Sequence, residues 1–295
     1  MKKITLLPLI TATIFACFNS TYAHAENDRE NNQSHGFDSF FAVSAIAGVS
    51  ETNLIGDSFE RIDDTDIFLE FDIELQARWN GFFVESPGRS QENINGLFSG
   101  VAVGYNFYNT EHWALDLYVV EAFQGGEYFF NSNTDSLIIE KDSNSRVGAR
   151  ATGYFSDYLI QFIASPISLQ DEIKGFSASA SLRRTWQIKN WNVYATVGAF
   201  YQSDEIADYY YGISESESAQ IKQLFNDNNA PYDPYTADGG VLIVGEVGFE
   251  YPVSENIVFG GFFSGVQRPS GISDSPLSAE GSSILTAGLS LTYVF

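Results

Sequence analysis

Apolar and polar residues alternate with a period of two along much of this chain. At positions 67–79 the odd-numbered residues are all apolar, whereas the even-numbered ones are charged or polar apart from Phe68. An amphipathic helix would instead place its apolar residues at spacings of three and four. The pattern therefore predicts a β-strand with one apolar and one charged face. Similar alternation recurs at 176–187, 191–202 and 285–295.

The segments between these predicted strands are of two kinds. Short connections lie at 109–112, 156–157, 189–190 and 252–256, and long segments rich in acidic residues, Asn, Ser and Gly lie near 51–65, 124–144, 203–239 and 267–282. Short periplasmic turns alternating with longer external loops are typical of a transmembrane β-barrel. The alternative is a secreted β-sandwich, whose apolar faces would point inward and which needs no such difference in connection length. The Asn80-Gly81 pair favours a two-residue hairpin turn.

The fold class that follows is all-β, an antiparallel up-and-down transmembrane β-barrel of about twelve strands. The segment 82–86 is short for a strand, so about ten or fourteen strands remain open. An even number places both chain ends in the periplasm. The predicted strands lie near 39–50, 66–79, 82–86, 96–108, 112–123, 145–155, 158–168, 175–188, 191–202, 240–251, 256–266 and 283–295.

The N-terminus has the layout of a cleaved signal peptide. Two lysines precede an apolar stretch at 4–18, and a small-x-small cleavage site ends at Ala25. That stretch is shorter than the roughly 20 residues of a membrane-spanning helix. Lipidation at Cys17 is the alternative, but the bulky Phe15 beside the cleavage position disfavours it. We therefore predict a signal peptide at 1–25, a polar periplasmic segment at 26–38 and a barrel in the bacterial outer membrane at 39–295.

The composition excludes several classes of protein. With 38 acidic and 15 basic residues, the chain has a formal net charge of −23, which argues against a nucleic-acid partner. A single cysteine and three histidines exclude a disulfide framework and a Cys/His zinc site. We expect no cofactor, and outer-membrane lipid and lipopolysaccharide as the surroundings of the barrel.

Catalytic residues are not evident. A Ser-His-Asp arrangement needs an imidazole beside a serine, and His112 is the only candidate, at a predicted periplasmic turn. We therefore predict that the chain is not an enzyme, with an outer-membrane lipid hydrolase as a distant alternative. The acidic clusters at 57–66 and 204–217 could bind divalent cations that bridge lipopolysaccharide phosphates. A solvated acidic surface explains them better, because neither matches an EF-hand loop, and we predict no metal site.

Charged residues fall on the polar face of several predicted strands, which would line the lumen. The candidate lumen charge network consists of Glu70, Asp72, Glu74, Arg146, Arg150, Arg183, Glu246 and Glu250. One interpretation is a cross-lumen network that fills a narrow barrel, because buried charges must be paired or solvated. The other is a water-filled lumen whose acidic excess favours cations. Arg184 falls on the apolar face, so it snorkels near the interface or the register is shifted by one.

The chain ends with an alternating strand whose last aromatic residues are Tyr293 and Phe295. This ending resembles the C-terminal signal of bacterial outer-membrane barrels, which the barrel-assembly machinery reads. The resemblance implies that the assembly machinery is a partner of this chain.

The C-terminal third also resembles the MipA/OmpV family, the MltA-interacting outer-membrane proteins. The stretches that carry the resemblance are Tyr209-Tyr210-Tyr211-Gly212-Ile213-Ser214, Asp274-Ser275-Pro276-Leu277 and the closing strand to Phe295, with a weaker likeness at 78–84. Tyr210, Tyr211, Gly212, Ser275 and Pro276 are the family motif positions. The resemblance implies an outer-membrane barrel, and for some members a scaffolding role in murein hydrolase and synthase complexes. It implies no catalytic residue.

The function expected from the sequence is therefore structural or scaffolding, with the murein complex as a partner implied by resemblance. The alternative is a small cation-preferring pore.

Overall fold

A computed structural model describes residues 37–51, 65–86, 100–123, 126–132, 135–226, 232–278 and 283–295. The predicted signal peptide, nearly all of the predicted 26–38 segment and the acidic residues of the 57–64 stretch lie outside the described residues. In the described part of the chain, no helix is long and apolar enough to cross a membrane.

Within these ranges, twelve strands form one closed antiparallel barrel. Around the barrel the order is β1, β14, β13, β12, β11, β10, β9, β8, β5, β4, β3 and β2. The strands are β1 (Phe37–Glu51), β2 (Thr65–Trp79), β3 (Phe82–Glu85), β4 (Ala102–Asn109), β5 (Trp113–Phe123), β8 (Asn144–Phe155), β9 (Tyr158–Ser168), β10 (Ser177–Ile188), β11 (Trp191–Gln202), β12 (Gly240–Pro252), β13 (Ile257–Gln267) and β14 (Ser283–Val294). The predicted fold class and strand number are confirmed.

The strand bounds agree with the predicted ones to within two residues, except at the start of β4. That strand begins at Ala102, whereas the alternation predicts a start near 96. The Asn80-Gly81 turn has the expected geometry, because both residues have positive φ, 50° and 86°. Ser156 and Lys189, in the other two-residue turns, also have positive φ, 50° and 57°. These turns lie at the periplasmic end of the barrel.

The external loops contain structure that the sequence analysis did not predict. A separate hairpin of β6 (Gly126–Asn131) and β7 (Ser136–Lys141) lies between β5 and β8. Helices α1 (Asp204–Tyr211) and α2 (Glu215–Phe225) connect β11 to β12, and the short helix α3 (Ser270–Ser273) lies between β13 and β14. The polar composition of these segments predicts loops, so the hairpin and the helices are a departure from that prediction.

The alternation places apolar side chains outside and polar ones inside. Ile67 is 87% exposed on the outer face of β2, whereas Glu74 is 7% exposed on its inner face. Glu74 stands directly opposite Ala42 of β1, which is buried as well. An outer face of exposed apolar residues is what lipid solvates in a transmembrane barrel.

Glycines on the inner face make room for aromatic rings. Four of them stand directly opposite an aromatic residue of the neighbouring strand, in the pairs Gly48–Phe68, Gly104–Phe83, Gly248–Tyr194 and Gly288–Phe262. A Cβ added to any of these glycines would approach the opposing ring to 2.4–2.7 Å, closer than carbon atoms can pack. Each ring therefore lies across its neighbour's backbone on the inner wall of the barrel.

We expect Gly248→Ala to destabilise the barrel by about 1–3 kcal/mol, because the new methyl group overpacks the lumen against Tyr194. The measurement is the temperature at which the purified barrel loses its heat-dependent gel migration. Gly245→Ala is the matched control, since a Cβ at Gly245 on the same strand meets nothing within 4 Å. Equal midpoints for the two variants would contradict this account.

Candidate functional site

The candidate site is the lumen together with the loops above its external end. All eight residues of the predicted charge network lie on the inner faces of their strands, by the register of β2, β8, β10 and β12. On β2, Glu70 is exposed, Asp72 is half-buried and Glu74 is buried. The structure separates these eight residues into distinct groups.

The first group surrounds Arg150 on β8. Its Nε donates to Asp116 Oδ2 at 2.7 Å, and its two terminal nitrogens donate to the carboxylate of Glu85. Asn106 Nδ2 donates to the other Asp116 oxygen at 2.7 Å. The guanidinium is therefore held by two carboxylates, as a buried charge requires.

Aromatic rings complete this group, which we call the Arg150 cluster. The guanidinium lies over the rings of Phe83 and Tyr118, at 5.0 and 5.8 Å from their centroids. Tyr118 Oη in turn lies 3.2 Å from Ser165 Oγ. The sequence analysis missed Glu85 and Asp116. Asp116 carried a signal, because it alternates with the apolar residues Leu115 and Leu117 of β5.

The second group surrounds Arg183 on β10. Its Nε donates to Thr196 Oγ1 at 2.8 Å, and the guanidinium lies 4.7 Å from the Tyr194 ring centroid. Tyr194 Oη donates to Glu246 at 3.1 Å. Arg183 also interacts electrostatically with Glu246, Glu250 and Glu74. Because β2 and β10 lie six strands apart in a barrel of twelve, the interaction with Glu74 crosses the lumen.

Arg146 differs from both of these arginines. It is fully buried on the inner face of β8, close to the external end. Its Nε donates to the carbonyl of Ser165 at 2.9 Å, and Nη2 donates to the carbonyl of Gly175. Among the described residues it has no carboxylate partner, so the structure does not bring it into a charge pair.

Arg184 and His112 both lie outside the lumen, and their surroundings answer questions that the sequence left open. Arg184 lies on the outer face, with its guanidinium 5.0 Å from the ring centroids of Tyr158 and Trp186. Because Arg183 faces inward and is buried, the register is the predicted one and Arg184 rests on interfacial aromatic rings. His112 is exposed at the turn before β5 and stacks on Phe155 at 5.6 Å.

Three external loops pack together at one end of the barrel, and we call this assembly the cap. It consists of the β6–β7 hairpin, residues 203–226 and 232–239 with α1 and α2, and residues 268–278 with α3. Its apolar core contains residues from all three: Phe130, Ile139, Ile213, Ile221, Tyr232 and Leu277. A second small cluster of Ala207, Ala237 and Ile272 joins α1 to α3. The cap is thus a folded unit and not a set of independent loops.

The family motif residues meet inside the cap. Ser275 Oγ donates to the carbonyl of Tyr211 at 2.5 Å, which ties the third loop to the end of α1. Tyr210 is buried and donates to the carbonyl of Asp142 at 2.9 Å. Gly212 follows α1, where a Cβ would lie 2.3 Å from the carbonyl oxygen of Asp208. Pro276 lies between the buried residues Ser275 and Leu277.

The acidic residues of the 204–217 cluster bind backbone and side-chain partners within the cap. Asp204 accepts from the amide of Gly239 at 2.9 Å, and Asp208 accepts from that of Ala237 at 3.1 Å. Glu217 completes a capping box with Ser214 at the start of α2 and pairs with Lys141 at 2.9 Å. Over the ranges that the structure covers, no three His, Cys, Asp or Glu residues form a metal site.

Burial changes the acid–base behaviour of the cap. It raises the pKa of Tyr210 and of Tyr211, and it raises the pKa of Tyr128 to about 12. Burial would also raise the pKa of Glu217, but hydrogen bonds from Ser214 and Lys141 outweigh it and lower that pKa. The cap therefore favours protonated tyrosines and an ionised Glu217.

The C-terminal residues close the barrel at its periplasmic end. The amide of Phe295 donates to the carbonyl of Phe41 at 3.1 Å, and the Phe295 ring contacts the rings of Phe41 and Tyr293 with centroids 4.9 and 4.8 Å apart. Both Tyr293 and Phe295 are about half exposed on the outer surface. They lie where the interfacial aromatic girdle of a membrane barrel lies.

A closed barrel with an apolar outer face, a charged inner face, short turns at one end and long loops at the other is an outer-membrane β-barrel protein. A family described as MltA-interacting protein MipA matches residues 47–295. The chain belongs to this family, and its location is the bacterial outer membrane.

Individual relatives match less of the chain. The protein named "Putative outer membrane protein YiaT" of Escherichia coli K12 is 29% identical over 110 residues, which are 36% of this chain and 40% of YiaT. Among solved structures, OmpT, an outer membrane protein of Vibrio cholerae, has a TM-score of 0.40 at 10% identity, covering 88% of this chain and 98% of OmpT. The outer membrane channel DcaP of Acinetobacter baumannii has a TM-score of 0.39 at 11% identity, covering 88% and 97%.

We expect Arg150→Met to destabilise the barrel by about 3–5 kcal/mol, because it leaves the buried carboxylates of Glu85 and Asp116 without their cation. The thermal midpoint of heat-dependent migration measures the loss. Arg78→Met is the control, since Arg78 is exposed near the periplasmic end of β2. Adding Glu85→Gln and Asp116→Asn to Arg150→Met should recover part of the stability, and a further loss would contradict the pairing.

We expect the cap to loosen at alkaline pH while the barrel persists. Tyr128, Tyr210 and Tyr211 have folded pKa values above their ordinary value of 10, so their contribution is complete below pH 10 and is lost as the pH rises toward about 12. The measurement is the fluorescence anisotropy of a dye on Gln220→Cys, an exposed position in α2. Tyr128→Phe should weaken this pH dependence, and an anisotropy that is constant to pH 12 would contradict it.

Proposed function

We propose that this chain is a non-enzymatic structural protein of the outer membrane that acts as a scaffold for a periplasmic murein hydrolase and synthase complex. The observation that supports a structural role over transport is the burial of inward-facing charges. Arg146, Arg183 and Glu246 are each at most 5% exposed, whereas the lumen of a porin is filled with water. Side chains occupy this side of the lumen, and the cap packs above it.

The partner is suggested by the name of the family, MltA-interacting protein. A periplasmic enzyme would meet the end of the barrel that carries the short turns, where His112 and its neighbour Glu111 are exposed. The predicted periplasmic segment 26–38 is joined to the barrel at the same end, because β1 begins there at Phe37. These two surfaces together are the proposed docking site.

The second candidate function is a small cation-preferring pore. Glu70 is exposed and Asp72 half-buried on the inner face of β2, so acidic groups reach the lumen where the opposing residues of β1, Ile46 and Ser44, are uncharged. Rings of carboxylates favour cations in channels. This observation keeps the pore as an alternative to the scaffold.

A lipid hydrolase has less support. His112 is in contact with the Phe155 ring and, in the described part of the chain, with no serine or carboxylate side chain that would complete a catalytic triad.

If the chain is a scaffold, the folded protein should bind MltA and should not conduct ions across a membrane. We expect heat-modifiable protein in a planar bilayer to show no steady single-channel current, and the same preparation to retain MltA in a co-sedimentation assay. A variant with Glu111→Ala and His112→Ala should bind MltA less tightly without losing its heat-dependent migration.

Steady current with cation preference would overturn the closed scaffold and favour the pore. In that case the double variant Glu70→Gln and Asp72→Asn should reduce the preference for cations. If a folded barrel that shows no current does not retain MltA, then MltA is not its partner.

A further inference from the structure

The three buried arginines of the inner face are not equivalent. Arg150 is bound by two carboxylates, and Arg183 lies beside Glu246 with Glu250 and Glu74 near it. Arg146 is the most deeply buried of the three, at 0% exposure, yet the described residues supply it with backbone carbonyls alone. A buried guanidinium without a counter-charge is costly. In a chain with a large acidic excess, this arrangement requires an explanation.

The guanidinium of Arg146 is held in a fixed orientation. Nε and Nη2 donate to the carbonyls of Ser165 and Gly175, and Nη1 has no hydrogen-bond partner. Gly175 can present its carbonyl there because it adopts φ +88° and has no Cβ, which would otherwise lie 2.0 Å from Ser203 Oγ. The loop between β9 and β10 thus fixes two of the three nitrogens and leaves the third free to bind a further group.

Two buried amide side chains lie close to Arg146. Asn144 is the next inward-facing residue of β8, and its Nδ2 has no hydrogen-bond partner. Gln202 stands opposite Ser177, two residues after Gly175, and its Nε2 also has none. Their exposures are 0% and 2%. An amide side chain can donate or accept a hydrogen bond, whereas a guanidinium only donates and carries a positive charge. Arg146 therefore requires that a group bound among these side chains be negatively charged.

The cap covers this position from the external side. Tyr210 of α1 lies close enough to Arg146 to interact with it electrostatically. It is buried, and its hydroxyl is held by the carbonyl of Asp142 at 2.9 Å. Nη1 of Arg146 is thus buried beneath the cap, and no carboxylate of the described chain is bonded to it.

We propose that Arg146, Asn144 and Gln202 form a binding site for one small oxyanion, the carboxylate or phosphate group of a solute. The oxyanion neutralises the buried guanidinium and accepts hydrogen bonds from Nη1 and the two amides. Charge-assisted hydrogen bonds of this kind are the strong ones in proteins. This site goes beyond the proposed scaffold, since a barrel that does not conduct can still hold an anion beneath its cap.

The test is anion binding by the full-length protein in detergent. Isothermal titration with inorganic phosphate, and separately with acetate, is run in chloride buffer of constant ionic strength. The same protein is also heated in each buffer, and the temperature of its thermal midpoint is recorded. We expect at least one of the two anions to bind and to raise the midpoint. Binding of phosphate alone would identify the bound group as a phosphate, and binding of acetate alone would identify it as a carboxylate.

Substitutions test whether the anion binds at Arg146 and Gln202. Arg146→Gln should weaken it by about ten-fold or more, because it removes a charge-assisted hydrogen bond. Arg184→Gln is the matched control, since that arginine lies on the outer face and should leave binding unchanged. Gln202→Leu keeps the buried cation and should weaken binding by several-fold, which provides a second test should Arg146→Gln fail to fold.

The proposal is overturned if neither anion binds. It is also overturned if both Arg146→Gln and Gln202→Leu bind the anion as tightly as the unmodified chain. These results are independent of MltA retention and of conductance, so the site and the scaffold can fail separately.

Discussion

Every backbone N–H and C=O group of a strand in the bilayer core must find its partner within the protein. This chain meets that requirement by pairing its first and last strands from Ala42↔Val294 to Ser50↔Thr286, which removes both sheet edges. The last residue, Phe295, still donates its amide to the first strand. Closure with twelve strands also sets the width of the lumen.

Side chains of neighbouring strands pack against one another along the inner wall of the barrel. Aromatic rings need space, and the glycine directly opposite each one supplies it, as at Gly248 and Tyr194. Buried charged residues need partners, and other strands of the wall supply them, as Glu85 and Asp116 do for Arg150. The inner face is consequently polar in composition, and several of its charged side chains, Arg183 and Glu246 among them, are buried.

Polar side chains of the external loops form hydrogen bonds that stabilise the folded cap. Carboxylates that would otherwise repel one another accept backbone hydrogen bonds, as Asp208 does from Ala237 and as Glu217 does from Ser214 in the capping box of α2. The family motif ties two of these loops together through Ser275 and Tyr211. The motif is thus a structural signature of the cap. Beneath it the cap encloses Arg146, the one buried arginine of the described inner face that has no acidic neighbour.

The strands, their faces and the tight turns could be predicted from the order of amino acids, because alternation and Asn-Gly chemistry are local properties of the chain. The same order also placed Arg150 and Arg183 on the inner face. It did not predict α2, although Ser214 and Glu217 carry the spacing of a capping box. Which charges meet was decided only by the tertiary structure. Glu85 and Arg150, 65 residues apart, become partners through the strand order and register, which depend on closure of the whole barrel and on no local pattern.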